Sequence, residues 1–348
     1  MSVVLSRFAC VRRQGSALVA EGPDGAAVRL DDPRAALLLA ALVTPRPLEE
    51  AAAEAGLDPA QAQEIAEPLT AAGVIVAAER GDREDLSPWT APERLVHARS
   101  RRWRPAGASG SPPEALAASP WEPTIALERP DLDALERDDP PLARVQAARR
   151  SIREHGRDPL SARALGEFLY RVARVDDLWE AAPGLELATR PFPGAGALYE
   201  LELYPLVAAA EGIAPGLYHY AADHHRLARV READAETEAI RTGAAAAMGV
   251  AALPQVVVLV AGRLPRLSWK YGALSYSLML KDVGVLFQTM YLVATAMGLA
   301  GCAVGTGDAE LFAAATGLDP DEQASVGEFC LGQPSSASTA STAIRSPS

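Results

Sequence analysis

Arg190-Pro191-Phe192-Pro193-Gly194-Ala195-Gly196-Ala197-Leu198-Tyr199 leads into a run, Glu200 to Val207, that reads as a strand. The small residues from Pro193 to Ala197 let a backbone approach a flat ligand closely and aim its N–H groups at heterocycle atoms. An ordinary tight loop before a strand fits the same residues. The glycines lack the G-x-G-x-x-G spacing and no strand immediately precedes them, so a dinucleotide fingerprint is not supported.

Outward from this loop, residues 141–333 alternate helices and strands. A helix runs from Pro141 to near Arg149, and another starts at Ser161 with Leu165, Phe168, Leu169 and Val172 on one face. Val256 to Ala261 is a valine-rich run suited to a buried strand. A long helix covers about Ser275 to Met297, Cys302 to Gly305 reads as a strand, and Asp308 caps a last helix ending at Gly317. The apolar stretch Phe287 to Val304 is too interrupted for a membrane span and reads as a buried helix.

Three further segments could carry chemistry. Arg149-Arg150-Ser151-Ile152-Arg153 concentrates three guanidiniums and a hydroxyl directly after a helix, a donor set that matches a phosphomonoester; an exposed basic turn would look the same. Lys270-Tyr271 places an ammonium beside a phenol, a plausible acid/base pair, although such dipeptides are common on surfaces. Val304-Gly305-Thr306-Gly307-Asp308 opens a helix whose N-terminus could face an electron-rich ring, or is a plain strand-to-helix turn. The sequence offers no metal-ligand cluster, Ser-His-Asp order or Walker motif, and His224-His225 reads as a polar surface turn.

The remainder of the chain sets the context. Its 348 residues, 49% of them hydrophobic, suffice for more than one folded unit. The formal charge of −12 argues against nucleic acid as a partner. Cys10, Cys302 and Cys330 show no metal or disulfide spacing and read as free thiols in a reducing cytoplasm. The start of the chain lacks a signal-peptide layout. Residues 1–80 predict three short helices and a strand: Asp32-Pro33 and Asp58-Pro59 are cap-plus-proline signals, Pro47 to Ala55 is a helix between them, and Val74-Ile75-Val76 follows Gly73. This suggests a winged helix-turn-helix shape, but seven arginines against eleven acidic residues favour peptide binding or packing over DNA. Residues 81–140 are rich in proline, with a Gly/Ser patch at Gly107 to Ser111, and read as a linker with little regular structure. It contains a basic cluster, Arg94, His97, Arg99, Arg101, Arg102 and Arg104, either solvated or facing an anionic partner. The tail, 334–348, is of low complexity and is expected to be disordered.

In order, the segments RRSIR (149–153), GEFLYRVARV (166–175), RPFPGAGALYELELY (190–204), GLYHY (216–220), WKY (269–271), LKDVGVLFQTMYLVATAMGLAGCAVGTGD (280–308) and SVGEFCLG (325–332) resemble the SagB-type azoline dehydrogenases, a branch of the FMN-dependent nitroreductase-like fold. The resemblance implies an α+β fold with a central mixed sheet flanked by helices, dimeric, over 141–333. It implies that Arg149, Arg150, Ser151 and Arg153 hold the FMN phosphate and ribityl chain. It implies that Pro193, Gly194, Ala195, Gly196 and Ala197 contact the flavin ring, often from the other subunit of a homodimer, with Val304 and Gly305 beside the ring. Lys270 and Tyr271 would carry proton transfer. Two positions depart from the family's pattern: Gly194 stands where a serine is usual, and Gly272 where an acidic residue commonly follows W-K-Y. Residues 1–80 resemble the winged-helix, PqqD-like modules that grip leader peptides.

The activity so implied is FMN-dependent oxidation of a thiazoline or oxazoline in a precursor peptide to the thiazole or oxazole, with a cyclodehydratase complex as expected partner. Two rivals stand beside it. One is a general nitro- or quinone reductase fed by NAD(P)H; the other is a flavin-free scaffold of a biosynthetic complex.

Overall fold

Alternating burial along the strands and capped helices divide the chain into two units, Met1–Pro105 and Ala106–Ser348. The computed structural model describes residues 1–101 and 110–335. Arg102, Arg104, most of the Gly/Ser patch and the tail from 336 lie outside the described residues.

In the first unit the cap signals act as expected. Asp32 accepts from the Arg34 amide and starts the helix Pro33–Ala41. Asp58 and Gln61 form a reciprocal capping box at the head of Pro59–Ala71. With Leu48–Glu54 these helices bury Leu38, Leu42, Leu69, Val74 and Ile75. The strand Ser2–Leu5 lies between Arg46–Pro47 and Ile75–Ala77, antiparallel to both. A three-stranded meander, Cys10–Gln14, Ala17–Glu21 and Ala27–Leu30, completes the winged-helix shape.

The start of the expected linker is not irregular. It forms the helices Ala78–Asp85 and Ala91–Arg101, with Pro92 confined to a first turn, where a missing N–H costs nothing. Glu84 is buried and accepts from Ser6 Oγ at 2.8 Å and from the Arg7 amide at 3.1 Å, tying its helix to the end of the first strand. Two members of the basic cluster serve the fold. Arg99 pairs with the buried Glu21, and Arg94 lies over the Phe8 ring.

The second unit is built on seven strands: β1 (Thr124–Ala126), β2 (Leu201–Val207), β3 (Gly216–Ala221), β4 (Arg226–Glu232), β5 (Val256–Arg263), β6 (Ala300–Val304) and β7 (Gln323–Gly332), in the spatial order β6-β7-β5-β2-β3-β4-β1. Every neighbouring pair in this sheet is antiparallel, which corrects the expected mixed sheet. The helical crossover from β5 to β6 does lay those two strands in the same direction. β7 pairs antiparallel with both and sits between them, so no parallel ladder forms.

Both faces of the sheet are covered, which is why β5 is apolar at successive positions. Val256, Val258 and Val260 face a core with Phe168, Leu286, Met290 and Phe329. Val257, Leu259 and Ala261 face a second core with Tyr204, Ile240, Phe312 and Cys330. The first core is roofed by Ala162–Ala173, capped by Ser161, and by the long helix Ser275–Ala296. The second is roofed by Ala235–Met248 and Ala309–Thr316, the latter capped by Asp308 and closed by Gly317.

The long helix buries one stripe, Met279, Val283, Leu286, Met290 and Ala294, and leaves Tyr276, Leu280 and Val285 exposed. It is thus half-buried, where the apolar stretch from Phe287 reads in the sequence as a buried helix. With the preceding short helix it is long and apolar enough by composition to cross a membrane, but 28% of its most apolar window is packed inside the unit. His225 also departs from expectation. It is buried between the β3–β4 turn and the 128 carbonyl, with Tyr220 Oη at 2.9 Å from Nδ1, and burial pulls its pKa down.

Phe329 is fully buried against Phe168, Phe287 and Tyr291. Phe329→Ala is expected to lower the unfolding free energy by about 3–5 kcal/mol in urea denaturation. A loss under about 1 kcal/mol would mean that this core is loosely packed.

Candidate functional site

The turn at 193–199 is held in an unusual backbone. Gly196 has φ +59°, and the non-glycine residues Ala197 and Tyr199 have φ +59° and +48°. Positive φ at such residues is strained and persists only where surroundings enforce it. Gly194 packs on the Tyr199 ring so closely that a Cβ would lie 2.9 Å from its Cδ1, which accounts for glycine where a serine is usual.

Lys270 and Tyr271 end the short helix Leu264–Tyr271. Both side chains converge on Gly196: a Cβ there would lie 3.0 Å from Lys270 Nζ and closer still to Tyr271 Oη. Lys270 Nζ stands 5.3 Å from the Tyr271 ring centroid. Gly272 closes the helix at φ +51°, ψ −124°, a conformation that an acidic side chain could not adopt without strain. The structure therefore joins the lysine–tyrosine pair to the small-residue loop.

Four groups that the sequence reading did not single out clamp this corner. Arg266, 1% exposed, donates to the Leu198 carbonyl at 3.1 Å and to the carbonyls of Pro113 and Glu186. Arg190 is buried beneath the Tyr199 ring. Asp282, in the long helix, accepts from the Ala195 amide at 2.8 Å, and Glu200 is buried beside it. The sequence signal for Asp282 is the charged pair Lys281-Asp282 in a largely apolar helical run. The segment after residue 110 is strapped here as well, through Arg263 to the 114 and 115 carbonyls and Trp269 Nε1 to the 110 carbonyl.

The arginine–serine segment sits elsewhere. Ser151 Oγ lies 2.8 Å from Tyr291 Oη, which also accepts from the Ala303 amide at 2.9 Å. The Ile152 amide donates to the Gly301 carbonyl, so the segment runs along the free edge of β6. The Arg149 guanidinium lies over the Tyr291 ring, Arg150 bonds only to nearby carbonyls, and none of Arg149, Arg150 and Arg153 makes an ion pair among the described residues. Val304 is buried at the end of β6, and Gly305 is exposed just beyond it.

Asp282 and Tyr291 are nine positions apart on one helix, about two and a half turns and about 14 Å along the axis, so they occupy opposite flanks. The loop 193–197 with Lys270 and Tyr271 docks on one flank. Arg149–Arg153 with β6 docks on the other. Within one chain the two proposed cofactor segments do not meet.

Comparison with known proteins matches this architecture. Residues 147–333 match the model of the nitroreductase family, and the chain belongs to that family of oxidoreductases. Residues 3–106 match the model described as cyanobactin oxidase ThcOx. A protein of Methanocaldococcus jannaschii described as a nitroreductase is 30% identical over 182 residues, 52% of this chain and 84% of that one. Among solved structures, a nitroreductase from Anabaena variabilis superposes with a TM-score of 0.50 at 20% identity, covering 68% of this chain and 45% of that one. A microcin synthetase complex from E. coli superposes with a TM-score of 0.44 at 22% identity, covering 53% and 70%.

Gly196→Ala tests the corner. The positive φ is expected to cost about 1–2 kcal/mol, and the added methyl must push Tyr271 and Lys270 aside. Wild-type stability and an unchanged tyrosine environment, read by near-ultraviolet circular dichroism, would show that the loop is not packed on that pair.

Proposed function

We propose that this chain is an FMN-dependent azoline dehydrogenase, acting as a homodimer on a precursor peptide whose thiazoline or oxazoline rings it oxidises to thiazoles or oxazoles. The observation that carries the reading is the convergence of Lys270 and Tyr271 on Gly196 within the glycine–alanine loop. The match of residues 3–106 to the model described as cyanobactin oxidase ThcOx supports it.

The residues present fit FMN. Arg149, Arg150 and Arg153 offer charged donors with no carboxylate partner among the described residues, and Ser151 adds a hydroxyl, as a phosphate and ribityl chain require. The loop 193–197 offers a backbone cradle that a Cβ at Gly196 would fill. Because these segments lie on opposite flanks of the long helix, we assign them to one cofactor through a second copy of the chain: Arg149–Arg153, Val304 and Gly305 from one protomer, and Pro193–Ala197, Lys270 and Tyr271 from its partner. The exposed Tyr276, Leu280 and Val285 on the helix and Leu178 and Trp179 on the ribbon Asp177–Thr189 give such a dimer an apolar surface to cover.

FMN, when bound, supplies the two-electron acceptor. The chain's own work is proton transfer and positioning. Tyr271, with Lys270 beside it, takes the acidic proton from the azoline Cα, and the rigid turn at Gly196 keeps both groups in place. In the ring, the Cα–H bond breaks to a proton and the Cβ–H bond to a hydride, leaving the aromatic azole. The first unit, with its winged-helix shape, docks the precursor peptide or the cyclodehydratase.

A preparation of the whole chain is expected to be yellow, to release FMN on denaturation, and to remove two hydrogens per azoline ring, read by mass spectrometry. Lys270→Ala with Tyr271→Phe should keep the flavin and lose at least about 100-fold in oxidation rate. Full oxidation by the flavin-loaded double variant would overturn the assignment. The relative described as a nitroreductase favours one second reading, and NADPH-driven reduction of nitroaromatics without azoline oxidation would establish it.

A further inference from the structure

The long helix carries Lys281-Asp282 in an otherwise largely apolar run, and the aspartate lies beside another carboxyl. Asp282 Oδ2 accepts from the Ala195 amide at 2.8 Å. Glu200, 1% exposed at the head of β2, lies beside the Asp282 carboxyl, and its Oε1 is buried without a hydrogen-bond partner. Two carboxyl groups can hydrogen-bond only if one of them holds a proton, because an ionised carboxylate has no donor.

The charged groups around the pair do not remove that need. Arg190 approaches Glu200 from the loop, Lys281 approaches Asp282 from its own helix, and Arg266 faces Glu200 from the short helix. Arg266 already serves the carbonyls of Leu198, Pro113 and Glu186, and Arg190 reaches the Ala173 carbonyl at 3.4 Å. Neither forms an ion pair with Glu200 or Asp282.

We infer that Glu200 and Asp282 share one proton and are positioning residues, fixing the Ala195 backbone and hence the turn at Gly196 against Lys270 and Tyr271. The functional part of this inference rests on the redox reading of that corner; the structural part does not. Burial, with the neighbouring Asp282 charge second to it, pushes Glu200 up to about 7, and burial likewise raises Asp282. The sign follows. A carboxyl whose folded pKa is raised contributes its stabilisation below its unfolded value, and that contribution is lost as pH rises through the folded value. Between about pH 5 and 7 the loop anchor therefore weakens, and above 7 two like charges face each other in a buried place.

Hydrogen exchange of the Ala195 amide in the full chain tests this without flavin or substrate. Corrected for intrinsic exchange, its protection is expected to fall by up to about tenfold per pH unit between pH 5 and 7. Amides of β5 should show no such slope. Glu200→Gln installs a permanent donor, so the slope should vanish and protection should persist at pH 8. Asp282→Asn, which can donate to Glu200 and still accept from Ala195, should behave likewise if the first variant does not fold. A flat wild-type profile overturns the inference, as does a slope that survives in either variant. If neither variant folds, the wild-type profile decides. Absence of azoline oxidation by the flavin-loaded wild-type chain would count against the redox reading and leave the exchange result standing.

Discussion

One hydrogen bond, from the Ala195 N–H to the Asp282 carboxylate, ties the small-residue loop to the scaffold. Without it, a turn with unusual conformations at 196, 197 and 199 would lose its hydrogen bond to the long helix and keep the Arg266 contact at Leu198 and the packing of Gly194 on the Tyr199 ring. The long helix makes the bond possible because its other face is locked into the sheet by Met279, Val283, Leu286 and Met290. Packing therefore sets the helix, the helix sets the aspartate, and the aspartate sets the loop on which Lys270 and Tyr271 converge.

The same helix also explains why a single chain is an incomplete site under the proposed reading. A cylinder with one buried stripe has two flanks, and each cofactor segment takes one. Among the described residues the arginines have no carboxylate partners on one flank, while the lysine–tyrosine pair lies on the other. An elongated ligand with an anionic end and a flat end suits such a division only when a second helix brings the missing flank alongside.

Much of the frame was legible in the sequence, because local signals and tertiary context agree there. Asp32-Pro33, Asp58-Pro59, Ser161 and Asp308 each start a helix as their side chains predict, and the valine run at 256–261 is a strand buried on both faces. The expected segments Arg149–Arg153, Pro193–Ala197 and Lys270-Tyr271 were found by motif, and the structure unites only the last two. What the sequence did not disclose depends on contacts distant in the chain. Glu200 and Asp282 meet across 82 positions, and Arg266 reads as an ordinary surface charge until it is seen bonding three carbonyls. The prolines at 88 and 92 suggested irregular chain, yet Pro92 sits where a helix tolerates it, and Glu84 supplies the anchor that no periodicity reveals. The antiparallel order was hidden for a similar reason: the path from β5 through helices to β6 has the form of a parallel unit, and only β7 breaks it.

That insertion bears on how the molecule is made. β7 follows both β5 and β6 in the chain, yet it fills a slot in the interior of the sheet, with β5 on one side and β6 on the other. Until residue 332 has emerged, β6 has no partner, and the Arg149–Arg153 segment has no edge to lie against. The Arg149–Arg153 segment therefore stays undocked until β7 has been made, and docking it joins residues some 150 positions apart, a slow kind of contact to form.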